Sequence, residues 1–355
     1  MADIPGLSQY VLLGPTGLRV SPLALGAMTF GNEGWGADED TSRRMFHRYV
    51  EAGGNFVDTA NVYAQGRSEE LLGGFLEETG WRDQIVLATK FTSPLRTGDP
   101  NAGGNGRKNI LSSLDGSLRR LRTDYVDLYW LHSWDTFTPV EEVMSTFDAL
   151  VRSGKVRAVG LSDVPAWYAA KAQMLARARG WEPIAALQME YSLIERSIER
   201  EHVPAALDLG MDITPWSPLA SGFLTGKYTR SPEGAEGEGR VQAFKASGIL
   251  GDHTDQDWDV LDALRDAAKD VGRSPAQVAL NWVTHRPGVA STLIGARTME
   301  QLDDNLAALD FVVPDEHVER LAEVGRPELD HPYNLFTSGW TKRRHGGADV
   351  RRRPA

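Results

Sequence analysis

No cysteine occurs anywhere in the 355 residues of this chain. Disulfides, thiolate metal sites and thiol nucleophiles are therefore excluded, and the chain suits a reducing compartment. No apolar run approaches the 18 residues that a membrane span needs, so no membrane partner is expected. The start, Met1-Ala2-Asp3-Ile4-Pro5-Gly6, has no basic stretch leading into an apolar one and shows no secretory signal. Together these point to a cytoplasmic protein. Positive charge is scarce: the formal net charge is -11. Nucleic acid is thus not expected as a partner, since phosphate binding needs clustered Lys and Arg. The one basic cluster, Lys342, Arg343, Arg344 and Arg351 to Arg353, reads as a disordered solubilising tail. The eight histidines show no His-x-x-x-His or His-x-His spacing, so no metal is expected. No Gly-x-Ser-x-Gly elbow is present, and the glycine-rich Gly103 to Lys108 is followed by Asn109 where a P-loop has Ser or Thr.

What is present is a strand-then-helix alternation. After an extended piece, Gln9 to Val20, that reads as a hairpin closing the bottom of a barrel, short apolar runs fall at Leu23-Gly26, Asn55-Val57, Ile85-Thr89, Val126-Leu131, Val156-Leu161, Ala185-Leu187, Asp212-Trp216 and Ser291-Ile294. Helical patterns lie between them, the first at Ser42-Ala52 with Asp40 or Thr41 as its cap, the last at Met299-Leu309. Eight such units argue for an α/β fold, a (β/α)8 TIM barrel, with long loops on its C-terminal face and a C-terminal tail. An open doubly wound sheet is the competitor, but Gly26-Ala27-Met28-Thr29-Phe30-Gly31 lacks the Gly-x-Gly-x-x-Gly turn. The expected organisation is one barrel over residues 1–325 and a tail over 326–355. Three segments are read as candidate lids or substrate walls: 92–108, 217–256 and the tail with Tyr333, Phe336 and Trp340. Within the second, Pro232 to Gly239 is too rich in Gly and Glu to pack a core.

Four residues stand at or near the ends of three of these runs: Asp58, Tyr63, Lys90 and His132. The C-terminal ends of barrel strands converge on one face, where active sites are built. A tyrosine beside an ammonium is an activated acid, because the cation favours the phenolate and lowers the phenol pKa. In this reading Tyr63 is the acid, Lys90 activates it, Asp58 pairs with Lys90, and His132 orients a carbonyl oxygen or relays a proton. The chemistry served is carbonyl reduction.

These four residues, with Leu25-Gly26-Ala27-Met28-Thr29-Phe30-Gly31 and Trp216-Ser217-Pro218-Leu219, resemble the aldo-keto reductase family from about residue 10 to 325. The resemblance assigns the same four roles and implies an NADP-dependent oxidoreductase acting on a small aldehyde or ketone. It places Thr29 in the cofactor site, Ser162, Asp163 and Gln188 on the nicotinamide carboxamide, the nicotinamide ring against Trp216, and Gln301, Asp304 and Asn305 at the adenine end. Asp163 departs from the family's usual asparagine, since an ionised carboxylate can accept but not donate. The residues themselves add a phosphate cradle in the small, glycine-containing loop Ser217, Leu219, Ser221, Gly222, Leu224 and Lys227. Gly295 and the following helix N-terminus suit an anion, and Arg297 suits an adenosine 2′-phosphate, which favours NADPH/NADP+ over NADH. Phe30, Trp35, Tyr63 and Trp134 are read as pocket walls. Two other readings stay open: a nucleotide-binding regulatory subunit of a channel, and a non-redox barrel isomerase using Lys90 and His132. The sequence sets no oligomeric state.

Overall fold

The computed structural model of the protein describes residues 6–32, 34–231, 234–236, 252–336 and 338–350. A two-stranded antiparallel hairpin, β1 (Val11–Leu12) and β2 (Arg19–Val20), opens the chain. Eight parallel strands follow: β3 (Leu23–Gly26), β4 (Phe56–Asp58), β5 (Val86–Phe91), β6 (Val126–Leu131), β7 (Val156–Ser162), β8 (Ile184–Glu190), β9 (Asp212–Trp216) and β12 (Thr292–Ile294). They pair in the order β12-β3-β4-β5-β6-β7-β8-β9. The ring is completed low down, where Ile213 N–H donates to Gly288 O at 2.7 Å and Ala290 N–H to Ile213 O at 3.0 Å. Above that point β9 and β12 part, and the gap between them becomes part of the functional cleft.

The barrel interior follows the two-residue period of a strand. Phe56, Val86, Ala88, Leu128, Trp130, Ala158 and Ala186 fill it, and Leu13 and Val20 of the hairpin plug its lower end. Gly14 explains the tight fit of that plug, since a Cβ there would lie 2.0 Å from Ala185 O. The expected bottom-closing hairpin is thus present. Continuing the same alternation by one step brings Asp58, Lys90, His132, Ser162 and Gln188 to the top of the interior. Trp130 fills the barrel beneath them and leaves no room for a side chain at Gly160, whose Cβ would come within 2.2 Å of the indole.

Helices α1 (Glu39–Glu51), α2 (Arg67–Thr79), α3 (Arg107–Leu121), α4 (Val140–Arg152), α5 (Ala166–Arg179), α6 (His202–Leu209), α7 (Asp255–Val271), α8 (Pro275–Thr284) and α9 (Met299–Leu306) surround the strands. Their apolar stripes form the larger core between helices and barrel. None of the helices among the described residues is long and apolar enough to cross a membrane.

Several expectations need correction. The cap of α1 is Asp38, which accepts from Thr41 N–H, not Asp40 or Thr41. Strands β4, β5 and β8 run one to three residues further than their apolar runs, because polar side chains at their upper ends point inward. A helix, α10 (Asp315–Val324), was not anticipated. Gly234–Glu236, inside the stretch read as unable to pack, forms strand β11 against β10 (Thr229–Ser231), and Ala235 packs on the core. The rest of Pro232 to Gly239 lies outside the described residues. In the tail, Tyr333–Phe336 is a single helical turn, and Lys342, Arg343 and Arg344 of the basic cluster read as disordered belong to a short helix, α11 (Ser338–Arg344). Arg351 to Arg353 lie outside the described residues. The tail is pinned near the start of α6 by Arg200 on Asp330 at 2.8 Å and by a hydrogen bond from Tyr333 to Glu201.

Candidate active site

The cleft is a cavity of about 640 Å³ on the C-terminal face. One end holds Tyr63 and His132, and the other holds Arg297 and Gln301. No described residue of the tail lines it, and neither do Phe30, Trp35 or Trp134. Phe30 is a core residue packed edge-on against Phe75, and Trp134 packs against Trp167 and Tyr168. Of the predicted aromatic walls, only Tyr63 faces the cavity.

At the tyrosine end, Lys90 and Asp58 are both fully buried and form an ion pair. The Lys90 ammonium also donates to Thr59 O at 2.9 Å and to the Tyr63 hydroxyl at 3.3 Å, and Gln188 Nε2 donates to Asp58 Oδ1 at 3.2 Å. Burial works against both charges, pushing the Asp58 carboxyl up and Lys90 down. At Lys90 burial is the largest single influence, but Asp58 and Tyr63 together, through charge and hydrogen bonds, outweigh it, and its pKa lies above the ordinary value. Tyr63 sits in a turn bent by two left-handed residues, Ala64 (φ 48°) and Gln65 (φ 57°). That turn is tied to β5 by Asn61 N–H on Lys90 O at 3.1 Å. Burial raises the Tyr63 pKa, the nearby Lys90 opposes it, and Asp58 adds to it, so the net shift is upward. This reverses the expected lowering. Lys90 limits the rise, and Tyr63 remains protonated.

His132 stands edge-on to Tyr63, with ring centroids 5.8 Å apart. Burial and then Lys90 drive its pKa down to about 3, so the imidazole is neutral and is no proton reservoir. Its Nδ1 is a buried polar atom with no hydrogen-bond partner among the described residues. Sequence reasoning missed what braces it. Thr92 Oγ1 accepts from His132 N–H at 3.2 Å and donates to buried Asn105 at 2.7 Å, and Asn105 reaches Ser133 O at 2.9 Å. The glycine-rich segment that resembled a failed P-loop is thus a strut for His132.

In the middle of the cleft, Ser162 and Gln188 are buried at the ends of β7 and β8, while Asp163 is open to the cavity. Trp216 Nε1 donates to Asp163 Oδ1 at 3.0 Å. The protein packed round Asp163 pushes its pKa up to about 6, against the pull of Trp216, Lys90 and Ser162.

Beyond Trp216 the wall is backbone. Ser217, Ala220, Ser221 and Gly222 all have positive φ, and three of them are not glycine, a cost that usually marks a functional loop. Ser221 N–H is held by Ser217 Oγ at 3.1 Å and Gly222 N–H by Leu219 O at 2.9 Å, so part of the expected cradle is already engaged. Leu219, Ser221, Gly222 and Lys227 line the cavity. Leu224 does not: its side chain is buried in the core. Opposite, Thr29 Oγ1 donates to Ala296 O at 2.8 Å. Asn305 Nδ2 braces Gly295 O at 3.2 Å, Gln301 Oε1 accepts from Arg297 N–H at 2.9 Å, and Asp304 accepts from Gln277 Nε2 at 2.8 Å. These side chains shape the wall as well as line it. Ser274, Ala276 and Leu280 of α8 also line it and were not foreseen, although Ser274 and Gln277 form a capping box legible at that helix start. A Cβ built on Gly295 would meet nothing within 4 Å, so the glycine leaves open space. The exposed Arg297 guanidinium makes no ion pair among the described residues. Open backbone, a flat indole and a spare cation fit a phosphorylated dinucleotide.

A parallel barrel with a buried carboxylate–ammonium–phenol relay at its strand ends defines a class, and the sequence comparisons agree with it. The chain belongs to the aldo/keto reductase family, whose sequence model matches residues 22–326, and it is an oxidoreductase. It is 38% identical to the uncharacterised oxidoreductase YrpG of Bacillus subtilis, covering 89% of this chain and 95% of that protein. It is 35% identical to an NADP(+) aryl-alcohol dehydrogenase of Phanerodontia chrysosporium, covering 94% and 90%. It is also 35% identical to a norsolorinic acid reductase of Aspergillus flavus, covering 94% and 85%.

Proposed function

We propose that the protein reduces an aldehyde or ketone to the alcohol with NADPH, with Tyr63 as general acid. The carrying observation is Tyr63, which lines the cleft and whose hydroxyl lies 3.3 Å from a buried ammonium. When bound, reduced nicotinamide supplies the hydride that no side chain can. The protein does the rest. His132, neutral, hydrogen-bonds the carbonyl oxygen. Tyr63 passes its proton to that oxygen as negative charge develops there. The phenolate left behind is stabilised by Lys90, whose charge Asp58 maintains. Ser162, Asp163, Gln188 and Trp216 hold the nicotinamide end. The loop from Ser217 to Lys227 with Gly295 holds the phosphates, and Arg297 the 2′-phosphate. Thr29, Gln301, Asp304 and Asn305 support that end. The aryl-alcohol dehydrogenase relative and the apolar flank of Met28 and Trp216 favour an aromatic aldehyde as the first substrate to try.

The test is a fluorescence titration with NADPH and NADH, followed by nicotinamide absorbance with an aromatic aldehyde. Tight NADPH binding with turnover is expected. Absence of binding by either nucleotide would overturn the reading.

A further inference from the structure

The middle of the cleft, next to the tyrosine end, carries a carboxylate with no ion-pair partner among the described residues. Asp58 and Lys90 neutralise each other, and His132 is uncharged. Asp163 has no ion-pair partner among the described residues. A neutral donor holds it instead, the Trp216 indole N–H. Its left-handed backbone, φ 45°, sets it at the cavity wall rather than back into the barrel. A second carboxylate stands behind: Glu190 of β8 is in register with Trp216. Burial, then Glu195 and Asp163, push its pKa up to about 7. In the reading above, Ser162, Asp163, Gln188 and Trp216 would hold the nicotinamide ring in this stretch of the cleft. Oxidised nicotinamide is a cation and reduced nicotinamide is neutral, so a fixed anion here attracts one and is indifferent to the other.

We propose that Asp163 makes the cleft discriminate between the cofactor's oxidation states, holding NADP+ more tightly than NADPH, with Trp216 as the positioning partner that fixes the carboxylate. This rests on the nicotinamide reading above. A site that prefers the oxidised form draws the bound couple toward it. Bound reduced nicotinamide would supply hydride to the carbonyl carbon while Tyr63 gives its proton to the oxygen, so the alcohol would form beside the cofactor state that the site favours. Reduction is promoted on the enzyme, and release of NADP+ is slowed.

The charged and titratable groups facing Asp163 are Lys90 from β5, Tyr63 from the turn after β4, and Glu190 from β8. The preference requires the carboxylate, so it is full near pH 8 and fades as the pH falls through about 6. Glu190 adds a step near 7, which E190Q removes.

Calorimetric titration of NADP+ and NADPH into the wild type, D163N and E190Q, near pH 8 and near pH 5, tests this. Asparagine keeps an oxygen for the Trp216 N–H, so the indole stays in place while the charge goes. Near pH 8, D163N should lose about tenfold in NADP+ affinity, with NADPH changed by less than about twofold. The wild type near pH 5 should approach the D163N ratio. An unchanged ratio in D163N, with both nucleotides bound, overturns the proposal. Should D163N not fold, a ratio in E190Q that stays constant between the two pH values overturns it equally. If the wild type binds neither nucleotide, the nicotinamide reading itself falls and takes this one with it.

Discussion

The two ends of the cleft are built on opposite principles. At the tyrosine end the charges are buried, paired and carried by side chains on strands: Lys90 and Asp58 have side chains 0% and 1% exposed. At the arginine end the wall is loop backbone in left-handed conformations, and the cation Arg297 is exposed. A buried pair is set by the fold and cannot lose one member without stranding the other. An exposed cation on a loop stands ready for a charge that arrives with a ligand. In the proposed reading, the first end serves a proton and the second a phosphate.

The sharpest way to break that contrast is Tyr63→Phe. Reduction should fall by roughly 10²- to 10⁴-fold, the usual worth of a general acid, with NADPH affinity nearly unchanged. Steady-state kinetics and a binding titration read the two apart, and retained turnover would remove Tyr63 from the chemistry. In the intact enzyme, the catalytic acid should be lost only as the pH climbs past the raised Tyr63 pKa.

Lys90→Met should also abolish turnover, and it should cost stability, about 3–5 kcal/mol, because Asp58 is left buried and unpaired. The double variant, Asp58→Asn with Lys90→Met, should recover part of that loss. Denaturant unfolding of the single and double variants closes the cycle. If the double is less stable than the Lys90 single, the pair is not the unit described here.

At the other end, Arg297→Ala should leave stability alone and weaken NADPH by about 10- to 100-fold, the range of a lost hydrogen bond to a charged group. NADH should be unaffected. Equal losses for both nucleotides would move the 2′-phosphate elsewhere.

The same contrast explains what was legible in the sequence. The barrel was, because each apolar run and each helical stripe repeats locally. Strand ends were less so: β4, β5 and β8 were cut short at Asp58, Lys90 and Gln188, since an apolar run stops where an inward polar residue begins. Those truncations fell on the functional residues, where local pattern and global fold disagree. The direction of the Tyr63 shift was not legible, because proximity to Lys90 shows in the motif order whereas the degree of burial does not. Nor was the strut from Asn105 to His132, which joins a loop and a strand end through contacts that no local spacing encodes. At the arginine end, the resemblance put Gln301, Asp304 and Asn305 together at the adenine end and Arg297 was singled out by its own charge and shape, while the internal hydrogen bonds of the loop after Trp216 were invisible.

Two glycines give the smallest and most discriminating comparison. Gly160 lies under the tyrosine end, where a Cβ would come within 2.2 Å of Trp130. Gly160→Ala should force the indole aside and destabilise the fold by about 1–3 kcal/mol, the usual cost of overpacking. Gly295 lies at the arginine end, where a Cβ meets nothing within 4 Å and the backbone needs no special φ. Gly295→Ala should therefore change stability by less than about 0.5 kcal/mol. Its methyl group would nonetheless occupy space that a phosphate or ribose needs, so nucleotide affinity should drop several-fold. Thermal melts and NADPH titrations on the two variants separate a glycine required by the protein from one required by its ligand. Were Gly295→Ala to bind NADPH as well as the wild type, the open space beside it would not be the nucleotide's, and the arginine end would have to be redrawn around the loop after Trp216.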